Sequence, residues 1–211
     1  GITQSVFPVA QELKTPLLAT LIERGEIVNA IVFTRTKHRA NRVFEQLEKR
    51  HVKVARIHGN RSQAQRTEAL AGFKSGRYRI LVATDIAARG IDIDQLPQVV
   101  NFELPHVAED YVHRIGRTGR AGREGHAYTL AAPVDGKYLA SIEKLLGTTI
   151  PRIEIEGLDT AALSEGKERG SRDRGGKERG GKERGGRPSR HDRGRQQNDK
   201  RERKVAEVID E

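Results

Sequence analysis

The stretch Tyr111-Val-His-Arg-Ile-Gly-Arg-Thr-Gly-Arg-Ala-Gly122 sets Arg114, Arg117 and Arg120 three residues apart, with a glycine two residues after each arginine. Side chains at this interval share one face of a helix, so we expect the three guanidinium groups to point the same way. Such a cluster needs an anion beside it, and a guanidinium matches phosphate or carboxylate with two hydrogen bonds. The stretch therefore favours a phosphate-binding site over the alternative, a solvated and positively charged helix end.

Short apolar runs alternate with amphipathic segments over the sequence around this stretch. Strands alternating with helices of this length imply right-handed crossovers and a mostly parallel sheet, which is an α/β fold. The predicted strands lie at 5–9, 30–33, 54–57, 80–83, 99–102 and 127–130. The predicted helices run from an N-cap at Thr15 to 25, and over 36–50, 62–76 and 135–146.

Composition divides the 211 residues into a body and a tail. The segment 164–211 holds 16 Lys or Arg and 11 Asp or Glu, and it has neither leucine nor an aromatic residue. Such a segment buries too little apolar surface to offset the entropy of ordering, so we expect it to be a disordered basic Gly/Arg-rich tail. The expected organisation is one domain over 1–151, a connecting segment over 152–163 and the tail over 164–211.

Charge and cysteine content narrow the classes of partner. The net charge of +10 favours a polyanion. The absence of cysteine excludes disulfides and thiolate zinc sites, and we predict no metal site in this chain. No apolar run reaches the length of a membrane span and no signal peptide is visible, so we expect no membrane partner and a cytoplasmic location.

Polar residues follow three of the predicted strands, at the edge where parallel sheets bind ligands. They are Thr34–Lys37, His58–Arg61 and Thr84–Asp92. Gly90 permits close backbone approach, and Asp92 is suited either to a ribose hydroxyl or to a turn. His58 is as consistent with a satisfied core histidine as with a ligand contact. We therefore expect one polar, Arg-rich and Gly-rich edge.

Four of these segments resemble motifs of the second RecA-like domain of DEAD-box RNA helicases. The string at 113–120 resembles motif VI and 83–92 resembles motif V, while 31–37 is similar to motif IV and 63–66 to the Gln-x-x-Arg motif. The resemblance covers about 1–151 and implies a three-layer RecA-like fold. The tail, together with Ile-Pro-Arg-Ile at 150–153, resembles a bacterial subgroup linked to ribosome assembly and RNA turnover.

The resemblance assigns roles to individual residues. Arg117 and Arg120 would be arginine fingers on the γ-phosphate of ATP. Gly90 and Asp92 would meet the ribose and its surroundings, and His113 and Arg114 would link to the partner domain's catalytic acids. The residues implied to hold the RNA backbone are Thr36, Gly59, Arg61 and Thr84. Asn60 stands where many relatives have Asp.

The sequence contains neither an Asp-Glu-Ala-Asp string nor a strand-borne phosphate loop. A spacing match at Gly176–Lys182 is followed by Glu183 instead of a hydroxyl residue and lies in a low-complexity repeat, so we reject it. ATP and Mg²⁺ would therefore be held by an N-terminal RecA-like domain absent from this sequence, and the fragment alone would be inactive.

Two other functions stay open: a free-standing RNA-binding or annealing module, and the second motor domain of a DNA-acting relative. The tail is predicted either to bind RNA or to act as a solubilising linker.

Overall fold

Six strands form one parallel sheet in the computed structural model, which describes residues 1–155. The tail predicted for 164–211, and all but the first residues of the connecting segment predicted for 152–163, lie outside the described residues. The strands are β1 (Ile2–Pro8), β2 (Ala30–Thr34), β3 (Val54–Ile57), β4 (Ile80–Thr84), β5 (Gln98–Asn101) and β6 (Gly125–Ala131).

The strand order is β1-β6-β5-β2-β4-β3, and every pairing is parallel. This confirms the α/β fold with a parallel sheet. The central strands β2, β4 and β5 are buried at every position, as expected for continuous apolar runs covered on both faces.

Helices cover both faces of the sheet. The helices are α1 (Lys14–Glu23), α2 (Lys37–Lys49), α3 (Gln63–Lys74), α4 (Asp85–Ala88), α5 (Ala108–Ile115) and α6 (Gly136–Leu146). Side chains alternate along β2: Ala30 and Val32 pack in the core of α1 and α2, while Ile31 and Phe33 pack with α3 and α4. A third cluster joins β6, α5 and α6. The arrangement is the expected three-layer RecA-like fold.

Side chains cap the N-termini of α2 and α3, whereas the cap predicted for the first helix is not formed. Thr36 accepts a hydrogen bond from the N–H of Arg39, and Ser62 forms a capping box with Gln65. The prediction that Thr15 caps the first helix was wrong. A 3-10 helix precedes α1, which begins at Lys14, and this lysine is buried in an ion pair.

Other boundaries also differ from the expectation. β1 starts at Ile2, three residues before the predicted strand, because it pairs with β6 from Ile2↔Gly125 onward. The short α4 and the eight-residue α5 were not predicted as separate helices. Asp135 belongs to a 3-10 turn and its side chain does not cap α6.

Residues 150–153 complete the sheet beyond β1. Val6 donates its N–H to the carbonyl of Pro151 and accepts from the N–H of Ile153, each at 2.8 Å, and Ile150 is buried. This part of the chain therefore covers the edge that β1 would otherwise expose. Within residues 1–155, no helix has the length and apolar character needed to cross a membrane.

Candidate functional site

The carboxyl ends of the strands carry two adjacent depressions that share Asp85, Arg89 and Asp110. The first, which we call the arginine cleft, has a volume of about 590 Å³. Its lining includes the predicted residues Gly90, His113, Arg114, Arg117 and Arg120. The second, the threonine groove, has a volume of about 670 Å³ and is lined by Thr36, Gly59 and Thr84, among others. The topology thus brings most of the predicted site residues to one edge.

Arg114 is the buried arginine of the arginine cleft, with 2% of its surface exposed. Its Nε and Nη2 donate to the two carboxylate oxygens of Asp85, each at 2.6 Å. Its Nη1 donates to the carbonyl of Glu103 at 2.6 Å and to Oδ1 of Asn101 at 3.2 Å. The guanidinium also lies over the ring of Phe33. Arg114 therefore finds its anion within the domain and ties α5 to α4 and β5.

Arg117 is partly buried and reaches back to the loop after α4. Its Nη1 donates to the carbonyl of Ile91 at 2.8 Å and its Nη2 to the carbonyl of Ala88 at 3.0 Å. Two of its five N–H groups thus fix the plane of the guanidinium, and the other three are suited to an acceptor in the cleft.

Arg120 and His113 are the solvent-facing members of the cleft. The Arg120 side chain is 55% exposed, its Nη1 lies 3.4 Å from Oδ2 of Asp94, and its Nε donates to the carbonyl of Gly116 at 2.5 Å. The His113 side chain is 79% exposed, and its Nδ1 lies 3.9 Å from a carboxylate oxygen of Asp110. These groups are accessible to a ligand that approaches from outside the domain.

The expectation that the three arginines share one helix face was wrong. α5 ends at Ile115, and Gly116 is its C-cap, so only Arg114 is helical. Arg117 and Arg120 follow in a loop that contains Gly119 and Gly122, both with positive φ. The end of α5 and the loop that follows it, and not a helical repeat, bring the three arginines to the same cleft.

The two residues predicted near the ribose differ in position. Gly90 lines the cleft and has φ of +75°, a left-handed conformation that strains residues with a side chain. Asp92 is exposed and is not among the residues that line the cleft.

The threonine groove collects three of the four residues predicted for RNA. Thr84 ends β4, Thr36 caps α2 and Gly59 follows β3, while Lys37 donates to Oδ1 of Asn60 across the groove at 3.1 Å. The fourth residue, Arg61, is not among the lining residues, and its N–H donates to the carbonyl of His58 at 3.0 Å. Hydroxyl, backbone and ammonium groups of this kind suit a sugar-phosphate backbone.

Of the two roles considered for His58, the structure shows that of a buried histidine with both ring nitrogens hydrogen-bonded. Its Nε2 donates to Oδ1 of Asn41 at 2.8 Å, and its Nδ1 accepts from the N–H of Asn60 at 3.2 Å. Burial lowers the pKa of His58, and the charge of Arg56 lowers it further. The neutral ring therefore holds the Gly59–Asn60 turn in place.

A charge network beneath the threonine groove was not predicted from sequence. Lys14 and Asp135 are fully buried, with Nζ and Oδ2 3.0 Å apart. Burial lowers the pKa of Lys14, and Asp135 opposes this shift. Asp135 also lies 3.3 Å from Arg35, whose backbone N–H donates to Glu103 at 3.1 Å. Glu103 and Asp135 follow β5 and β6, so the sheet-edge rule already applied to β2, β3 and β4 would have found them.

Residues 1–155 contain no group of three or more His, Cys, Asp or Glu arranged to hold a metal ion. The donors of the two depressions are mainly cations, N–H groups and hydroxyls, which suit phosphate oxygens.

Comparison with known proteins places this architecture in a family. Residues 13–122 match the model of the helicase conserved C-terminal domain. The ATP-dependent RNA helicase DbpA of Bacillus subtilis is 39% identical over 162 residues, which are 77% of this chain and 34% of that protein. The ATP-dependent RNA helicase SrmB of Haemophilus influenzae is 42% identical over 150 residues, which are 71% of this chain and 34% of that protein.

Solved structures agree with the sequence relatives. The E. coli DEAD-box protein SrmB bound to regulator of ribonuclease activity A matches with a TM-score of 0.70 and 36% identity, over 74% of this chain and 92% of that one. The chain spans about a third of the length of the two sequence relatives. It belongs to the helicase conserved C-terminal domain family and corresponds, within that family, to the C-terminal RecA-like domain of a bacterial DEAD-box RNA helicase.

Proposed function

We propose that this chain is the second motor domain of an ATP-dependent RNA helicase and acts on a nucleotide held by an N-terminal RecA-like domain. The observation that carries the proposal is the convergence of Arg117 and Arg120 on one cleft, beside the glycine backbone at Gly90. A cleft with exposed guanidinium groups and no phosphate loop is suited to complete a nucleotide site, not to form one alone.

The arginine fingers would act when the two domains close around ATP. Arg117 is preorganised because two backbone carbonyls hold its guanidinium. Arg120 is more exposed and would exchange Asp94 for phosphate on closure. Arginine fingers typically contribute about 10³ to 10⁵ in rate by stabilising charge in the transition state.

Arg114 has a different task in this proposal. Its hydrogen bonds to Asp85, Asn101 and Glu103 already occupy the guanidinium. It would hold α5 in position, so that His113 on the exposed side of the helix faces the partner domain's catalytic acids. Mg²⁺ would be bound by that partner domain, where it would neutralise charge on the triphosphate.

The threonine groove would bind the RNA sugar-phosphate backbone. Thr36, Gly59 and Thr84 offer hydroxyl and N–H donors, and Lys37 adds a positive charge. Contacts of this type carry little sequence information, so binding would be sequence-tolerant and salt-dependent. Cycles of ATP binding, closure and release would then separate short duplexes locally. In this proposal the protein would act on RNA in the cytoplasm.

The test is to join this chain to the N-terminal RecA-like domain of the intact protein and measure ATP turnover with and without RNA. We expect turnover only when both domains and RNA are present. ATP hydrolysis by this chain alone would contradict the proposal. A joined protein whose ATP turnover is not stimulated by RNA would also contradict it. RNA binding with no turnover would support the free-standing RNA-binding module instead, and equal stimulation by DNA would support a DNA-acting motor.

A further inference from the structure

Two aromatic rings stack at the rim of the threonine groove. The rings of His106 and Tyr138 lie 4.8 Å apart between centroids, with 17° between their planes. His106 is exposed and lines the groove with Thr36 and Thr84. Tyr138 lies in the first turn of α6, 32 positions further along the chain. Neither residue has a part in the proposed phosphate chemistry.

The pair is held in place by a cation. Nη1 of Arg35 lies 2.5 Å from Nε2 of His106, and because arginine only donates, this nitrogen accepts. The ring proton is therefore on Nδ1. Arg35 lies 3.3 Å from Asp135 and 3.8 Å from Glu103. These two carboxylates hold the Arg35 guanidinium in position, and the guanidinium in turn holds the His106 ring. The rings lose little freedom on binding, which favours affinity.

The surroundings of the pair suit a nucleobase better than a phosphate. Tyr138 covers one face of the imidazole and Arg35 occupies one edge, while His106 as a whole is exposed. The groove beside it carries Ile86, which is 80% exposed, and Val107, which is 52% exposed. An apolar rim offers no hydrogen bond or charge to a sugar-phosphate backbone, whereas a base has two apolar faces that it can bury there.

Two basic residues flank the His106–Tyr138 pair and indicate an anionic ligand. Lys137 Nζ lies 4.9 Å from the centre of the Tyr138 ring and the Arg35 guanidinium 5.5 Å from it. An aromatic surface flanked by cations is the usual composition of a stacking site for single-stranded nucleic acid. We propose that the His106–Tyr138 pair stacks one base of the RNA strand whose backbone lies in the threonine groove.

This inference rests on the proposed function and adds a base-dependent contact to a backbone-binding surface. Stacking tolerates any base because every base has a π-face, so the pair contributes affinity without sequence preference. The contact holds one nucleotide at the rim of the groove, beside Val107.

The experiment compares two oligomers with the whole chain: octauridylate, and an eight-residue ribose-phosphate oligomer that lacks every base. Fluorescence anisotropy at low salt gives both dissociation constants, and their ratio removes the contribution of phosphate contacts. We expect octauridylate to bind about tenfold more tightly, the size typical of one stacked base. In His106→Ala the preference falls below twofold, while affinity for the abasic oligomer is kept.

Two further variants separate stacking from a structural effect. His106→Phe restores an aromatic face and is expected to keep most of the preference. His126→Ala is the matched control, because His126 also stacks on a tyrosine, Tyr128, at 6.1 Å and 9°, but on β6 and outside the threonine groove. It is expected to keep the full preference.

The outcomes distinguish this inference from the proposed function. Equal affinity of the unmodified chain for the two oligomers would overturn the inference and leave the proposed backbone contact standing. A full preference of His106→Ala for octauridylate over the abasic oligomer would likewise overturn the inference. Failure of both oligomers to bind would overturn the proposed RNA-binding role, and this inference with it.

Discussion

Arg114 and Asp85 form a two-pronged ion pair, in which Nε and Nη2 of the arginine each lie 2.6 Å from a carboxylate oxygen. The side chain of Arg114 is 1% exposed and that of Asp85 is 24% exposed. The first arginine of the Tyr111–Gly122 stretch is therefore part of the scaffold, while Arg117 and Arg120 remain directed at the cleft. Arginines that look equivalent in sequence differ in burial and in hydrogen-bond partners in the fold.

Substitution of Arg114 is expected to lower the free energy of unfolding of the domain. Arg114→Met leaves Asp85, Asn101 and the Glu103 carbonyl without their shared donor, and breaking a buried pair on one side costs about 3 kcal/mol. Urea unfolding measures the change in free energy of unfolding. Arg120→Met is the control, since exposed ion pairs contribute about 0–1 kcal/mol. Equal losses in the two variants would contradict the scaffold role.

Substitution of Arg120 is expected to affect turnover and not stability. In the protein that contains both motor domains, Arg120→Lys removes the planar fork and should lower RNA-stimulated kcat by about 10²-fold or more. The free energy of unfolding should change by less than about 0.5 kcal/mol. The control is Arg123→Lys, an exposed arginine three residues further on that does not line the cleft. Near-normal turnover in Arg120→Lys would refute its role as a finger.

A methyl group at Gly125 is expected to displace the arginine loop. A Cβ there would collide with Oγ1 of Thr118 and with the backbone of Gly119, neither of which is a flexible end. Gly125→Ala should cost about 2 kcal/mol of unfolding free energy, as overpacking commonly does. It should also lower turnover, because the displaced segment lies between Arg117 and Arg120. Gly136→Ala, where a Cβ meets open space, should leave both quantities nearly unchanged.

Stability is expected to fall at alkaline pH because of Tyr111. Burial raises the pKa of this phenol from 10.0 to about 12, and its hydroxyl donates to Gln4 at 2.6 Å. Between pH 10 and 12 the unfolded chain loses this proton and the folded chain keeps it. The stabilisation present below pH 10, about 2–3 kcal/mol, is therefore lost as pH rises through this window.

Tyr111→Phe isolates this effect, because phenylalanine has no proton to lose. Urea unfolding at pH 9, 10 and 11 should show a shallower decline in the variant than in the unmodified protein. Burial also raises the pKa of Tyr128, so part of the decline should remain. Parallel declines in the two proteins would show that Tyr111 does not titrate differently on folding.

The parallel sheet was predictable because its central strands are continuous apolar runs. Ala30–Thr34 and Ile80–Thr84 are covered on both faces, and this leaves no room for polar alternation. The gathering of Thr36, Gly59 and Thr84 followed from topology, since parallel strands bring their carboxyl ends together. These features depend on local pattern and on general rules of connection.

The partners of buried charges were not predictable, because they depend on contacts between distant residues. Arg114 lies 29 positions from Asp85, and Lys14 lies 121 positions from Asp135. Thr15-Pro16 has the pattern of an N-cap followed by a proline in the first turn, which predicts a cap at Thr15, whereas α1 begins at Lys14. The three-residue interval of the arginines suggested a helix, but Gly116 ends the helix after the first of them.

The placement of β1 constrains how the chain can mature. Its seven residues pair with β6, from Ile2↔Gly125 to Pro8↔Ala131, so β1 waits for the last strand of the sheet to be translated. A nascent chain on the ribosome can pair β2, β4 and β3 early, while β1 stays unmatched. Premature termination before residue 125 would therefore release a fragment with an unmatched hydrophobic β1, a natural substrate for chaperones and proteases.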